Sequence, residues 1–335
     1  MNILRKILFP IVPIYYIVTW LRNKMYDLGI KKSKSYDFPV IAVGNLSVGG
    51  TGKSPMVEYL IKLLKDKVQL ATLSRGYKRE SEGFQLVSLS STAKEVGDEP
   101  LQFKTKFNDV IVGVDSDRRN GIANLRSIQS KPEVIVLDDA YQHRKVKAGL
   151  YILLTPYYDL YNTDIVLPTG NLREPRKGAD RADIIVVTKC PKDVSSVKME
   201  EIAEKLDAKS EQSLFFATIE YGDQIIGISE TKSIDWLQDI SFTLVTGIAN
   251  PTPLLEYYTS LGLKFNHISF PDHHNFTDKE LKELAHHETI VTTEKDYVRL
   301  VPNLSGNSLW YQPIKMKFVK DGHSFDDLVC GFIKK

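Results

Sequence analysis

The stretch Gly44-Asn-Leu-Ser-Val-Gly-Gly-Thr-Gly-Lys-Ser-Pro55 constrains this chain more than any other part of it. It follows an apolar run, Val40 to Val43, and leads into a helix-forming run, Pro55 to Lys65. A strand, a glycine-rich turn, a lysine with a hydroxyl and then a helix make a phosphate-binding loop. The pattern G-x-x-x-x-G-K-[ST] puts its first glycine on Ser47, a departure that the physics tolerates. The anion is held by consecutive backbone N–H groups that turn inward where side chains are absent, and Gly49, Gly50 and Gly52 supply those positions. Gly44 can share the exit from the strand. Lys53 adds a point charge for the β- and γ-phosphates, Ser54 can ligate Mg²⁺, and the helix N-terminus contributes its dipole. Pro55 falls in the first helical turn, where its missing N–H is harmless. Ser47, Val48, Gly49, Gly50, Thr51, Gly52, Lys53 and Ser54 are therefore the expected nucleotide cradle.

Around that loop, short runs rich in Val, Ile and Leu alternate with helical stretches. Val68 to Leu73, Val110 to Val114, Val134 to Leu137, Leu150 to Leu154 and Ile184 to Val187 are nearly continuous apolar runs, as strands buried on both faces should be. The predicted fold is α/β: a doubly wound, mostly parallel sheet of the P-loop NTPase type, with a second, smaller α/β lobe. At 335 residues the chain is long enough for two lobes. The expected divisions are an N-terminal segment over 1–30, a nucleotide-binding core over 31–212, a connecting hairpin over 213–240 (strands at Leu214 to Ile219 and Gln224 to Ile228), and a C-terminal α/β lobe over 241–335 that completes the site.

Charge and cysteine content exclude several classes. Lys plus Arg at 44 against Asp plus Glu at 42 is too balanced for a nucleic-acid binder working by charge. Cys190 and Cys330 lie far apart with no second ligand nearby, so neither a disulfide framework nor a zinc site is expected. No obligate protein partner is evident. Residues Ile7 to Leu21 carry no charge, include Pro10 and Pro13, and are flanked by Arg5, Lys6, Arg22 and Lys24. That run is short of the roughly 20 apolar residues a spanning helix needs. No small-residue cleavage site follows, and the positive charge continues through Lys31, Lys32 and Lys34. The reading is a membrane-interface helix, with Tyr15, Tyr16 and Trp20 at headgroup level and the cations drawn to anionic lipid. A helix packed on the protein's own core is the alternative.

Phosphoryl transfer also needs a carboxylate at the end of a buried strand beside the loop, to orient a Mg²⁺ shell. Asp138 and Asp139, ending "VIVLDD", meet that need, and Gln142 and His143 follow. "VGDEP" puts Asp98 and Glu99 just before a helix, where capping alone could explain them. "FPDHHNF" sets His273 and His274 among aromatics in a chain with only 7 histidines. A GTP-dependent switch would need N-K-x-D, and the nearest approach, Thr188-Lys-Cys-Pro191, has proline where the aspartate belongs. A membrane-associated GTPase or nucleotide-sensing protein is thus the rival reading.

In combination these motifs, with "SRGY" at 74–77, "LPTGNLREP" at 167–175 and "TGIANP" at 246–251, resemble the tetraacyldisaccharide 4'-kinase family of lipid A biosynthesis. The resemblance spans most of the chain. In that family Ser or Thr is common at the position of Ser47. Ser54 stands where Thr is frequent and Ala140 where Gly is frequent, and neither change removes a ligand. The resemblance implies ATP and Mg²⁺ as ligands and a lipid disaccharide 1-phosphate as acceptor. The positive charge flanking the N-terminal helix argues for the cytoplasmic face of the inner membrane, where ATP is available and anionic lipid attracts the cations. By the same resemblance Asp98 is the catalytic base, His273 its orienting partner with His274 as the alternative, and Lys53 a catalytic cation. Ser54, Glu99, Asp138 and Asp139 form the metal shell. Arg173 lies near the phosphates, and Arg75, Arg118 and Gln142 line the site.

Overall fold

The computed structural model describes residues 5, 7–304 and 308–334. Lys6 lies outside them, as do the first four residues of the expected anchor.

The α/β expectation holds. Nine strands form the larger sheet: β1 Val40–Asn45, β2 Leu70–Ser74, β3 Gln85–Leu86, β4 Ile111–Val114, β5 Val134–Leu137, β6 Leu150–Pro156, β7 Ile184–Thr188, β8 Ser213–Tyr221 and, late in the chain, β15 Ile314–Phe318. Their spatial order is β15-β8-β7-β6-β1-β5-β2-β4-β3. All neighbours are parallel except the two edge pairs, β15 with β8 and β3 with β4. Apolar runs without alternation make sense here, because β1, β2, β5 and β7 are buried along their whole length. The α-helices longer than four residues are, in chain order, α1 Val12–Asp27, α2 Lys53–Leu64, α3 Asp98–Lys106, α4 Arg118–Ser127, α5 Ser196–Leu206, α6 Thr252–Ser260, α7 Asp278–Leu284, α8 Glu294–Leu304 and α9 Gly322–Ile333. Met56, Val57, Leu60, Ile61 and Leu64 recur at helical spacing on α2 and are all fully buried. Truncating any of the larger of these to Ala would cost about 2–5 kcal/mol.

The second sheet holds β9 Gln224–Gly227, β10 Thr231–Ser233, β11 Phe242–Thr246, β12 Phe265–Ser269, β13 Thr289–Thr293 and β14 Ser308–Gln312. Its order is β10-β9-β14-β13-β11-β12. Two expectations are corrected here. The hairpin over 213–240 does not form: β8 pairs with β7 and β15 in the large sheet, whereas β9 pairs with β10 and β14 in the small one. Local alternation could not reveal that the partners lie elsewhere in the chain. Nor does the small unit run to the C-terminus. Met316, Phe318, Phe325 and Val329 belong to the core of the large sheet, so β15 and α9 return to it. The outgoing and returning strands cross side by side, with Gly222 N–H donating to the Pro313 carbonyl at 2.9 Å.

Helix α1 is docked on the protein along one face and leaves apolar side chains exposed along another. One face is docked: Thr19 is buried, Tyr15 Oη donates to the Arg173 carbonyl at 3.1 Å, and Asn23 reaches Glu174. The other face leaves Ile14, Ile17, Val18, Trp20 and Leu21 exposed. Two of the flanking cations are not free for lipid. Arg5 donates to Asn171 at 2.9 Å and Arg22 donates to the Gln142 carbonyl. Among the described residues, no helix is long and apolar enough to cross a membrane.

Candidate active site

The phosphate loop runs between β1 and α2, with Gly49 at φ 102° and Gly52 at φ 90°, a region closed to most side chains. Ser47 explains itself in context. Its backbone bridges Leu172, Val48 N–H donates to the Asn171 carbonyl at 2.8 Å, and Arg173 N–H donates to the Leu46 carbonyl at 2.7 Å. The start of the loop is thus extended and pinned to "GNLREP", so no glycine is needed there. Gly44 does a different job from the one expected: it lies inside β1, and a Cβ there would meet the Tyr141 Cβ at 2.6 Å. Thr188 Oγ1, at the end of β7, donates to the Thr51 carbonyl at 2.8 Å and closes the far side of the loop.

Parallel pairing of β1 with β5, Val40 with Ile135 through Ala42 with Leu137, carries the strand-end acids to the loop. Asp139 accepts from Arg173 at 2.9 and 3.2 Å and lies 3.9 Å from Lys53 Nζ. Burial pushes its carboxyl up, but Lys53 and Arg173 outweigh that and leave it below the usual range. Asp138 has the opposite balance. Burial, then the charges of Glu99 and Asp139, push it up to about 7. Its Oδ2 accepts from Ser74 at 3.1 Å, while Oδ1 is buried without a partner.

Asp98 and Glu99 begin α3. The turn before them depends on Gly97, at φ 91°, packed on Gly76 of "SRGY": a Cβ on Gly97 would lie 3.1 Å from the Gly76 Cα. Glu99 Oε1 accepts from Ser54 Oγ at 2.7 Å and from Lys295 Nζ at 2.8 Å. Burial opposes its ionisation, yet Lys295 and Lys53 hold it at about 2. Asp98 Oδ2 accepts from His273 Nδ1 at 3.0 Å, so the contact spans the two sheets. His273 is held by its own N–H on the Gly247 carbonyl at 3.2 Å and by an edge contact with Tyr77, ring centroids 5.4 Å apart. His274 points elsewhere, bonding Glu280 at 2.9 Å and stacking on Phe270.

The lining residues divide. Arg173 stands at the site on Asp139 and Asn45. Arg75 is exposed just past β2. Arg118 does not line the cleft: it is buried beneath it, donating to the Asp115 and Asp138 carbonyls at 3.0 Å each, since α4 starts under the strand ends. Gln142 spends its amide N–H on the Asn45 carbonyl at 2.8 Å and Glu174 at 3.0 Å, which makes it a prop for Arg173 and its loop.

Sequence reasoning missed Lys295 and Arg299 on α8, Lys189 after β7, and Asn45. Lys189 Nζ lies 3.8 Å from where a Gly50 Cβ would stand, and burial with the charges of Lys295 and Lys53 pushes its pKa down. The signal for Lys295 was present in "TIVTTEKD", an apolar strand ending in charges, as in "VIVLDD".

The expected metal residues suit a hard cation. Ser54, Glu99, Asp138 and Asp139 offer only oxygen, and Asp138 keeps one buried oxygen without a partner while the charges of Glu99 and Asp139 act on it. Among the described residues no group of three or more His, Cys, Asp or Glu is placed to hold a metal ion by itself. Mg²⁺ does not need one, because it takes one or two carboxylates with water and substrate phosphate.

The sequence model of a family described as tetraacyldisaccharide-1-P 4'-kinase matches residues 4–334. The tetraacyldisaccharide 4'-kinase of Flavobacterium johnsoniae is 53% identical over 338 residues, covering 100% of this chain and 99% of that protein. That of Bacteroides thetaiotaomicron is 42% identical over 357 residues, covering 99% and 94%. Among solved structures, LpxK from Aquifex aeolicus in complex with ATP superposes with a TM-score of 0.80 at 32% identity, covering 99% of this chain and 100% of that one.

Proposed function

Because the chain belongs to the tetraacyldisaccharide-1-P 4'-kinase family, it phosphorylates the 4'-position of a tetraacyldisaccharide 1-phosphate with ATP, in lipid A biosynthesis, and we propose that Asp98 is the base and His273 the residue that orients it. The observation that carries the assignment is the 3.0 Å contact between Asp98 and His273 on the same cleft as the phosphate loop. His273 Nδ1–H occupies Oδ2 of Asp98, which leaves Oδ1 to take the proton of the attacking hydroxyl. As that oxygen bonds to the γ-phosphorus, the bond to the β–γ bridging oxygen breaks and its electrons leave with ADP. Lys53 and Arg173 stabilise negative charge on the phosphates, and the loop N–H groups hold the nucleotide in line. Ser54, Glu99, Asp138 and Asp139 would hold Mg²⁺, which supplies charge neutralisation at the β- and γ-phosphates. Transfer of labelled phosphate from ATP to the lipid disaccharide 1-phosphate tests the reading. Asp98→Ala should fall by about 10² to 10⁴, and near-native transfer would overturn its role as base.

The lobe and membrane assignments belong to the same proposal. The large sheet, with β15 and α9, is the nucleotide lobe. The small sheet supplies His273, and the paired strands at Gly222 and Pro313 carry the chain out to it and back, which supports a hinge there. The exposed apolar face of α1 lies on the cytoplasmic leaflet of the inner membrane, where ATP is available and where Lys24, Lys31 and Lys32 meet anionic lipid. Because α1 also holds the Arg173 carbonyl, the surface that carries the lipid substrate is tied directly to the catalytic cleft.

A further inference from the structure

Arg299 is missing from every motif discussed above, yet its buried guanidinium touches three separate pieces of the site. It sits one turn along α8 from Lys295, so the helix presents two cations on one side. Those cations meet adjacent acids of α3, Lys295 taking Glu99 at 2.8 Å and Arg299 Nε lying 3.4 Å from Asp98 Oδ2. Nε also donates to the Lys295 carbonyl at 3.2 Å, which fixes the fork on its own helix. Nη1 donates to the His274 carbonyl at 2.8 Å and so grips the loop that carries His273. Nη2 stands 3.1 Å from the fully buried Asp296, whose other oxygen accepts from the Gly247 N–H at 2.8 Å. Gly247 in turn receives the His273 N–H.

We propose that Arg299 is a positioning residue for phosphoryl transfer, holding Asp98 and the His273 loop in one geometry across the two sheets. The inference rests on Asp98 being the base. A planar guanidinium is suited to this task because its donors leave in fixed, divergent directions, whereas an ammonium can supply the charge but not the fork. Removing it would leave the carboxylates of Asp98 and Asp296 without a shared cation and free the His274 carbonyl. Since Arg299 reaches neither the phosphate loop nor Lys53 by any contact among the described residues, nucleotide binding should not depend on it.

The test is a double-mutant cycle with separate kcat and KM values, and thermal melts of each variant. Arg299→Gln should lower kcat by about 10-fold to 10²-fold with KM for ATP changed less than about twofold, and Arg299→Lys should recover part of the loss. In an Asp98→Asn background, adding Arg299→Gln should cost less than about threefold more, because its effect acts through Asp98. A full multiplied loss in that background, or a loss confined to KM for ATP, overturns the inference while leaving the base assignment intact. Near-native turnover of Asp98→Asn alone would instead overturn the base assignment. Should Arg299→Gln fail to fold, Arg299→Lys decides the matter: native kcat from a charge without the fork counts against positioning.

Discussion

His273 Nδ1 lies 3.0 Å from Asp98 Oδ2, although the two residues are 175 positions apart and hang from different sheets. A pair that works as one unit loses its function once. Asp98→Ala and His273→Ala should each lower kcat by about 10² to 10⁴, and the double variant should be no more than about threefold worse than the poorer single one. Multiplied losses would mean separate roles. His274→Ala should keep most activity, since its ring bonds Glu280 on the side of the loop away from Asp98.

Lys53 should be needed for turnover and nearly irrelevant to stability. Its ammonium stands 3.9 Å from Asp139 and packs no core, so Lys53→Ala should melt within about 2 °C of wild type. Phosphate transfer should fall below detection and ATP affinity should weaken, as calorimetric titration would read. Native activity would remove the nucleotide site from this loop.

A buried cluster behind the site gives a pH dependence of definite sign. Lys106 lies 2.6 Å from both Glu58 and Glu294, and Gln102 donates to both acids, at 2.8 and 2.9 Å. One cation between two carboxylates leaves net negative charge, and burial followed by repulsion from Glu58 pushes Glu294 up to about 8 from its ordinary 4.5. Between those two values the folded chain binds more protons than the unfolded one, so this group's contribution to stability falls as pH rises through that window. Melting curves from pH 5 to 9 should therefore slope less for Glu294→Gln than for wild type, and an unchanged slope would contradict the account.

The exposed face of α1 can be tested without disturbing its docked face. Ile14→Glu with Val18→Glu should abolish sedimentation with vesicles containing phosphatidylglycerol, because each charge would have to enter the apolar interface. ATP affinity should stay within about twofold, since Tyr15 still holds the Arg173 carbonyl. Vesicle binding equal to wild type would place the lipid surface elsewhere. A complete truncation would be a poorer probe, because it removes that bond too.

What the sequence determined by itself is what local pattern controls. The phosphate loop, the buried strands and the acids at the end of β5 are legible because backbone conformation and strand burial depend on residues within a few positions of each other. The helix start at "VGDEP" is legible for the same reason. Tertiary structure decided whatever depends on which distant segments meet. It set His273 against Asp98 at 3.0 Å and His274 against Glu280 at 2.9 Å. It buried Arg118 beneath the cleft, split 213–240 between two sheets, and returned β15 and α9 to the first. Lys295 and Arg299 acquire their partners only when α8 lies against α3, a packing that no local spacing encodes. Contacts between remote segments are selected by the shared burial of whole faces, and that selection is a property of the folded chain as a unit.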